Sequence, residues 1–215
     1  KPVPIKAAPT KAPEPASFPE KKSPPRPQKG PWTLDEFQVA PEQGKTRFHD
    51  LDLPINLMHA ISDLAFNYCT DIQGKLLPHT LVGKDATAKA QTGTGKSATF
   101  LVAIIKRFLE IPFKPKNGMP RALILAPTRE LVYQIEKDFN QLAKYSQLRI
   151  LSVFGGTGYN QQMTILREKP VDVIAATPGR LLDFISKRLI NLSKVEIVVL
   201  DEADRILDMG FIPDV

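Results

Sequence analysis

The residues with the clearest capacity for chemistry form the run Ala-Gln-Thr-Gly-Thr-Gly-Lys-Ser at positions 90–97. Two glycines in this run allow backbone N–H groups to turn around a phosphate, Lys96 can reach the β and γ phosphates, and Ser97 can ligate magnesium. A Gly-rich turn with a surface lysine is the alternative, but the spacing favours nucleotide binding. The predicted nucleotide ligands in this loop are Gln91, Thr92, Gly93, Thr94, Gly95, Lys96 and Ser97.

A second chemical group follows an apolar run, where the sequence reads Val-Val-Leu-Asp-Glu-Ala-Asp at positions 198–204. Asp201 would share a magnesium ion with Ser97, and Glu202 would orient and deprotonate an attacking water. The alternative is that these acids merely favour the dipole of a helix that begins here. The phosphate loop makes the catalytic interpretation of Lys96, Asp201 and Glu202 the stronger one.

Short apolar runs alternate with longer amphipathic segments, which is typical of a parallel sheet flanked by helices. The sequence therefore predicts an α/β fold with right-handed crossovers. The predicted strands are 85–90, 121–126, 149–154, 171–176 and 195–200, and the predicted helices are 55–66, 72–81, 96–109, 129–145, 161–168 and 178–187. Both chemical runs would then lie at the carboxyl edge of the sheet, where ligands bind in open α/β folds.

Composition excludes several classes of protein. The 215 residues are 42% hydrophobic and 24% charged, which suits one globular domain. The single cysteine, Cys69, excludes a disulfide-stapled extracellular scaffold, and no apolar run approaches the roughly 20 residues of a membrane helix. We expect a cytoplasmic chain without membrane association, and because it begins at Lys1 we expect it to be a fragment or a processed chain.

Charge and proline are concentrated at the N-terminus. Residues 1–30 contain seven Lys and Arg against two Glu, so they carry +5 of the net +6, and ten of the twenty prolines lie within residues 1–31. Such a segment buries little apolar surface, so residues 1–45 are predicted to be a disordered basic tail before a domain at 46–215. PxxP spacing within residues 23–31 could dock on an aromatic groove, but a solvated linker is the commoner outcome.

Six motifs in order resemble the DEAD-box ATP-dependent RNA helicase family. They are Cys-Thr-Asp-Ile-Gln at 69–73, the phosphate loop, Pro-Thr-Arg-Glu-Leu at 127–131, Gly-Gly at 155–156, Thr-Pro-Gly-Arg at 177–180 and Asp-Glu-Ala-Asp at 201–204. The resemblance covers residues 47–215, and the runs 44–50 and 208–213 are most similar to bacterial RhlB-type members.

The resemblance implies a RecA-like first lobe that binds ATP and Mg²⁺ and couples RNA-stimulated hydrolysis to local unwinding of an RNA duplex. It also implies a second RecA-like lobe in cis that supplies arginine fingers, so the chain alone should bind but barely turn over. RNA-decay or ribonucleoprotein partners are possible in such a family. Asp204 would couple the two activities, and sequence-independent RNA backbone contacts would come from Pro127, Thr128, Arg129, Gly155, Gly156, Thr177, Pro178, Gly179 and Arg180.

Structural interpretations accompany several of these residues. Thr128 and Thr177 are also predicted helix N-caps, the latter followed by Pro178 at the first helical position. Such helix N-termini, opening on one edge of the sheet, would present free N–H groups to phosphates.

The adenine motif allows two interpretations as well. Gln73 has capping-box spacing from Thr70, whereas in the family this glutamine pairs with adenine and an aromatic residue 17 positions before the motif stacks on the base. Counting back 17 residues from Ala65, which stands where the family has a glycine, gives Phe48. Asp71, Ala65 and Ser97 depart from the family's proline, glycine and threonine.

Two other function classes fit part of the pattern. One is a non-enzymatic RNA-binding scaffold. It would not need intact Lys96 and Glu202, so their presence argues against it. The other is a phosphate-loop ATPase that acts on DNA or protein. The presence of Gln73 with Phe48, and of the Thr-Pro-Gly-Arg run, argues against it. The three histidines show no metal-ligand spacing.

The charge count predicts that the tail adds salt-sensitive, sequence-independent attraction to RNA. Deleting residues 1–30 should lower RNA affinity mainly at low salt and flatten the slope of log affinity against log salt, because fewer counterions are released. Titrations at several salt concentrations measure the slope, and ATP affinity, which should not change, is the control. Equal slopes with and without the tail would contradict the argument.

Overall fold

The computed structural model describes residues 31–89, 93–156, 158–211 and 215. The chain divides into two units, Lys1–Pro31 and Trp32–Val215, and every described helix and strand belongs to the second. The predicted disorder of residues 1–30 and the predicted contacts of Gln91 and Thr92 lie outside the described residues. Among the described helices, none is long and apolar enough to cross a membrane.

Four parallel strands form one sheet in the order β2-β3-β1-β4. They are β1 (Ala122–Leu125), β2 (Ile150–Val153), β3 (Val173–Ala176) and β4 (Ile197–Leu200). In register, Ala122 lies between Val173 and Ile197. This arrangement confirms the predicted α/β class with its parallel sheet and flanking helices.

Six of the seven helices among the described residues agree closely with the predicted amphipathic segments, and the seventh follows the acidic run. They are α1 (Ile55–Asp63), α2 (Asp71–Thr80), α3 (Lys96–Glu110), α4 (Arg129–Leu142), α5 (Tyr159–Glu168), α6 (Pro178–Ser186) and α7 (Ala203–Asp208). The hydroxyl oxygen of Thr128 accepts a hydrogen bond from the Leu131 N–H, as an N-cap should. Thr177 occupies the N-cap position of α6 with Pro178 next, but its side chain makes no capping bond. The two threonines therefore begin their helices differently.

The two faces of the sheet are covered by different helices. On β1, Ala122 and Ile124 pack in a core with residues of α1 to α4, whereas Leu123 and Leu125 pack with residues of α5, α6 and α7. This alternation follows from the period of two in a strand. The central strands β1 and β3 are buried along their whole length, which explains why their sequences are continuously apolar.

The predicted strand at 85–90 is wrong for the residues that the structure describes there. Residues 85–89 carry no strand and are all exposed. They are Asp, Ala, Thr, Ala and Lys, and their small and charged side chains offer little apolar surface to bury against a helix layer. On β4, Val198 and Leu200 are 59% and 46% exposed, so this strand is an edge in the described part of the chain.

The boundary between tail and domain lies earlier than predicted. The predicted tail includes residues 32–45, yet these contain the 3-10 helix Leu34–Glu36, and Phe37 is 7% exposed within the core. The Phe37 carbonyl contacts the imidazole Nε2 of His49 at 2.5 Å, and the Ala40 carbonyl accepts from the Tyr68 hydroxyl at 2.7 Å. These anchors tie down a segment whose composition alone resembles a linker.

Trp32 completes a stack of aromatic rings on the α1–α4 side. Its ring lies parallel to that of His59 at 4.5 Å, and His59 lies parallel to Tyr145 at 3.7 Å. The Tyr145 hydroxyl donates to Asp63, which also pairs with Lys144. The stack joins the start of the domain to α1 and to the turn that follows α4.

A buried arginine holds the amino ends of β1 and β4 together. Arg121 is 1% exposed, its Nε donates to Glu196 at 2.7 Å, and its guanidinium lies 4.0 Å from the centre of the Phe108 ring. Its two terminal nitrogens have no hydrogen-bond partner among the described residues. Glu196 also contacts Arg107 at 3.7 Å, but Arg107 is half exposed.

We predict that Glu196→Ala lowers the free energy of unfolding by about 1–3 kcal/mol, because it leaves the buried Arg121 charge without its acceptor. Arg107→Ala removes the exposed partner of the same carboxylate and should change that free energy by no more than about 0.5 kcal/mol. Urea unfolding of both variants measures the difference. Equal effects would show that the burial of Arg121 does not decide the strength of the pair.

Candidate nucleotide and nucleic-acid site

Parallel pairing brings four of the six sequence motifs to one edge of the sheet, and a fifth, the phosphate loop, lies near the Asp201 end of that edge. Gly155 and Gly156 follow β2, Thr177 follows β3, Thr128 follows β1 and Asp201 follows β4. The strand order β2-β3-β1-β4 therefore places the three predicted RNA segments next to one another and the acidic run at the end of the row. The phosphate loop precedes α3, and a charge interaction links its Lys96 to Asp201.

The phosphate loop has the backbone shape that its glycines predict. Gly93 and Gly95 have φ values of +81° and +87°, which favour glycine, and Gly95 is the N-cap of α3. Lys96 and Ser97 are therefore the first residues of a helix, and a helix N-terminus is a favourable place for a phosphate. The Thr99 hydroxyl donates to the Gly95 carbonyl at 3.0 Å and steadies the first turn.

Gln73 braces the phosphate loop against α2. Its side-chain oxygen Oε1 accepts from the Thr70 backbone N–H at 2.9 Å, and its side-chain nitrogen Nε2 donates to the Gly95 backbone carbonyl at 3.2 Å. The Thr70 hydroxyl donates to the Thr94 carbonyl at 2.7 Å. The predicted capping box is thus present, and both ends of the Gln73 amide are engaged. Asp71 and Lys75 line an open pocket of about 490 Å³ beside these residues.

Phe48 does not present its ring to this pocket. It is 1% exposed, belongs to the core and lies 6.2 Å from the ring of Phe66. Stacking on adenine would need one face of the ring to leave that packing. In this structure Phe48 is a core residue, and its predicted contact with adenine stays a prediction.

Asp201 is a buried carboxylate at the end of β4. It is 8% exposed and accepts a hydrogen bond from the Glu202 N–H at 3.0 Å. Burial raises the pKa of Asp201, while that hydrogen bond and the Lys96 ammonium oppose the rise. The nearby lysine therefore favours the ionised form, and a carboxylate together with the Ser97 hydroxyl is an oxygen donor set that suits Mg²⁺.

Glu202 is held in an uncommon conformation. Its φ of 50° and ψ of 49° lie in the left-handed region, which is costly for a residue with a side chain. Its carboxylate accepts from the Arg205 guanidinium at 2.6 Å, and its side chain is only 14% exposed. Arg205, which sequence reasoning missed, holds the Glu202 carboxylate.

The three predicted RNA segments line one open groove of about 600 Å³. Arg129 lies across Gly156, because a Cβ on that glycine would stand 2.4 Å from the Arg129 Nη1. Gly156 also has a φ of +98°, so both its backbone and its lack of a side chain serve the approach of Arg129. The residues that line the groove are Pro127, Thr128, Arg129, Glu130, Gly155, Gly156, Thr177, Gly179, Arg180 and Phe211.

Sequence reasoning placed most of this groove but missed some of its members. Phe211 lines it, and Tyr159 and Gln162 contact Arg180 from α5. Pro178 is buried at the start of α6 and does not line the groove. Asp204 is exposed, with its carboxylate bonded to the Arg205 N–H, so its predicted coupling role stays a prediction.

Comparison with protein families decides the assignment. A family model described as DEAD/DEAH box helicase matches residues 70–215, which is well over half of the chain. The chain belongs to this family.

Named relatives agree with that membership. The ATP-dependent RNA helicase RhlB of Pseudomonas putida is 54% identical over 180 residues, which cover 82% of this chain and 45% of the relative. The RhlB of Pseudomonas aeruginosa gives the same figures. The RhlB of Actinobacillus succinogenes is 46% identical over 169 residues, covering 79% of this chain and 41% of the relative. The resemblance to RhlB-type members is confirmed, and this helicase-family chain spans less than half the length of these relatives.

The two glycines of the phosphate loop should tolerate alanine differently. At Gly95 a Cβ would lie 2.5 Å from the Gln73 amide nitrogen, whereas at Gly93 nothing lies within 4 Å of it. Gly93→Ala therefore adds only backbone strain of about 1–2 kcal/mol, but Gly95→Ala also displaces the Gln73 brace. We expect a markedly larger loss of ATP affinity for Gly95→Ala by calorimetry.

Gly179→Ala is the matched control, since its Cβ also meets open space and Gly179 has no strained φ. It should leave ATP affinity unchanged. Equal losses for Gly93→Ala and Gly95→Ala would contradict a role for the contact with Gln73.

Proposed function

We propose that this chain is the ATP-binding and RNA-binding first lobe of an ATP-dependent RNA helicase. The observation that carries the proposal is the single sheet edge on which the RNA groove, Asp201 and the helix N-terminus of the phosphate loop lie together. A shared edge gives a direct physical route by which nucleotide and RNA can influence one another. The named relatives, RNA helicases with ATP dependence in their names, agree with it.

The phosphates of ATP are assigned to the N-terminus of α3. Lys96 would neutralise the β and γ phosphates, and the backbone N–H groups of the loop would donate to their oxygens. Ser97 and Asp201 would hold Mg²⁺, which supplies charge neutralisation to the phosphates when it is bound.

Hydrolysis is assigned to Glu202. A carboxylate held beside the metal ligand Asp201 can orient a water and take its proton as the water attacks the γ phosphate. The bond between the γ phosphorus and the bridging oxygen breaks, and ADP and phosphate leave. In the present state Arg205 occupies one oxygen of the Glu202 carboxylate, so that oxygen must exchange its partner before it can accept the proton.

RNA is assigned to the groove by the kind of donors that line it. Arg129 and Arg180 carry charge, and Thr128 and Thr177 begin helices whose N–H groups face the same edge. Contacts from such groups to phosphate and sugar carry no direct information about the base sequence. Binding would therefore be independent of sequence, which fits a helicase that must act on many duplexes.

The remaining parts of the proposal rest on the family resemblance. Gln73 is assigned to the edge of adenine, with Phe48 as the expected stacking partner. A second RecA-like lobe in cis is expected to supply arginine fingers, which in other phosphoryl-transfer enzymes contribute about 10³- to 10⁵-fold in rate. We further propose a cytoplasmic location and RNA-decay or ribonucleoprotein partners.

The sharpest test separates binding from turnover. Lys96→Ala should abolish ATP binding, because it removes the charge that meets the phosphates, whereas Glu202→Gln in the full-length protein should keep ATP affinity and lose hydrolysis. Calorimetry for affinity and phosphate release for turnover measure the two quantities, and strand displacement on a short RNA duplex should follow turnover. Equal loss of ATP affinity in both variants would contradict the role of Glu202.

A further inference from the structure

Aromatic and polar side chains surround the guanidinium of Arg180, one of the cations of the RNA groove. Its Cζ lies 4.9 Å from the centre of the Tyr159 ring and 5.5 Å from that of Phe184. Its Nη1 donates to the side-chain oxygen Oε1 of Gln162 at 3.2 Å. The rings of Tyr159 and Phe184 meet edge to face, with centres 5.3 Å apart. Contact with two rings and one hydrogen bond together restrict the orientation of the planar guanidinium.

Gln162 is itself fixed, so it can direct Arg180. It is 7% exposed, and its amide nitrogen donates to the Phe154 carbonyl at 3.3 Å. With the side-chain nitrogen held in that bond, the side-chain oxygen of Gln162 is directed towards Arg180. Because Phe154 immediately precedes Gly155, Gln162 connects the glycine segment of the groove to the arginine that lies across it.

Tyr159 is fixed from the opposite end of α6. Its hydroxyl accepts from the Lys187 ammonium at 2.7 Å, which also lies 4.8 Å from the centre of the ring. Lys187 pairs in turn with Asp183 at 2.7 Å. The ring is thus held against α6 by contacts that do not involve Arg180, and it can serve as a support for it.

The remaining donors of Arg180 are the reason that this support matters. Beyond the bond to Gln162, its N–H groups have no hydrogen-bond partner in the part of the chain that the structure describes, and Arg180 lines the groove. A guanidinium recognises phosphate through paired N–H groups in a fixed plane. Holding that plane beforehand reduces the side-chain entropy lost when RNA binds.

We propose that Tyr159 and Gln162 are positioning residues that hold Arg180 for contact with an RNA phosphate. The proposal rests on the proposed function, because it assumes that the groove binds RNA. Neither residue needs to contact RNA itself; each acts through the orientation of Arg180.

The experiment is a double-mutant cycle in the full-length protein. The affinity for a fluorescent single-stranded oligouridylate is measured by anisotropy with a non-hydrolysable ATP analogue present. Tyr159→Leu should weaken binding about three- to tenfold, the range expected for loss of a cation–π support. Tyr159→Phe keeps the ring and should restore nearly all of the affinity. Gln162→Leu should weaken binding to a similar extent, and ATP affinity should stay constant throughout.

The decisive comparison is made in the Arg180→Ala background. If Tyr159 and Gln162 act through Arg180, their substitutions should lose their effect once that side chain is absent. Undiminished effects in that background would overturn the positioning role while leaving the groove assignment intact. If Arg180→Ala alone leaves RNA affinity unchanged, the assignment of Arg180 to RNA fails, and the positioning role fails with it.

Discussion

Parallel pairing of the four strands is the constraint on which the rest of the structure depends. Parallel strands all end at the same edge, so every segment that comes directly after a strand meets the others there. Residues as distant in sequence as Thr128 and Thr177 therefore reach the same edge. The strand order then decides which segments are adjacent, and it separates the acidic run after β4 from the glycine pair after β2 by two strands.

The same pairing shows how a nearly neutral domain could bind a polyanion, as we propose for the groove. The groove does not depend on an excess of lysine and arginine, since backbone N–H groups at helix N-termini supply part of the positive potential. Its arginines are few and individually constrained. Arg129 lies against Gly156, and Arg180 is held between α5 and α6. Preorganisation therefore takes the place of charge density in this domain.

Buried polar groups tie the chemical edge to the body of the fold. With one side-chain amide, Gln73 bonds both to the start of α2 and to the phosphate loop, so it connects the two directly. At the amino ends of the strands, away from the chemical edge, Arg121 joins β1 to β4 through Glu196. Glu202, the proposed catalytic carboxylate, has a left-handed backbone conformation, and its side chain is bonded to Arg205.

Local sequence determined the type and approximate bounds of most helices and of four strands, because each depends on nearby periodicity and capping. It also determined the family, since the six ordered motifs can be identified from the sequence alone. Local pattern could not decide whether residues 85–89 pair or whether residues 32–45 pack, because both outcomes depend on surfaces that distant segments supply. Nor could it show that Phe48 is buried, that Gln73 reaches the Gly95 carbonyl, or that Tyr159 and Gln162 support Arg180. Those contacts join residues whose proximity is created only when the parallel sheet and its two helix layers have formed.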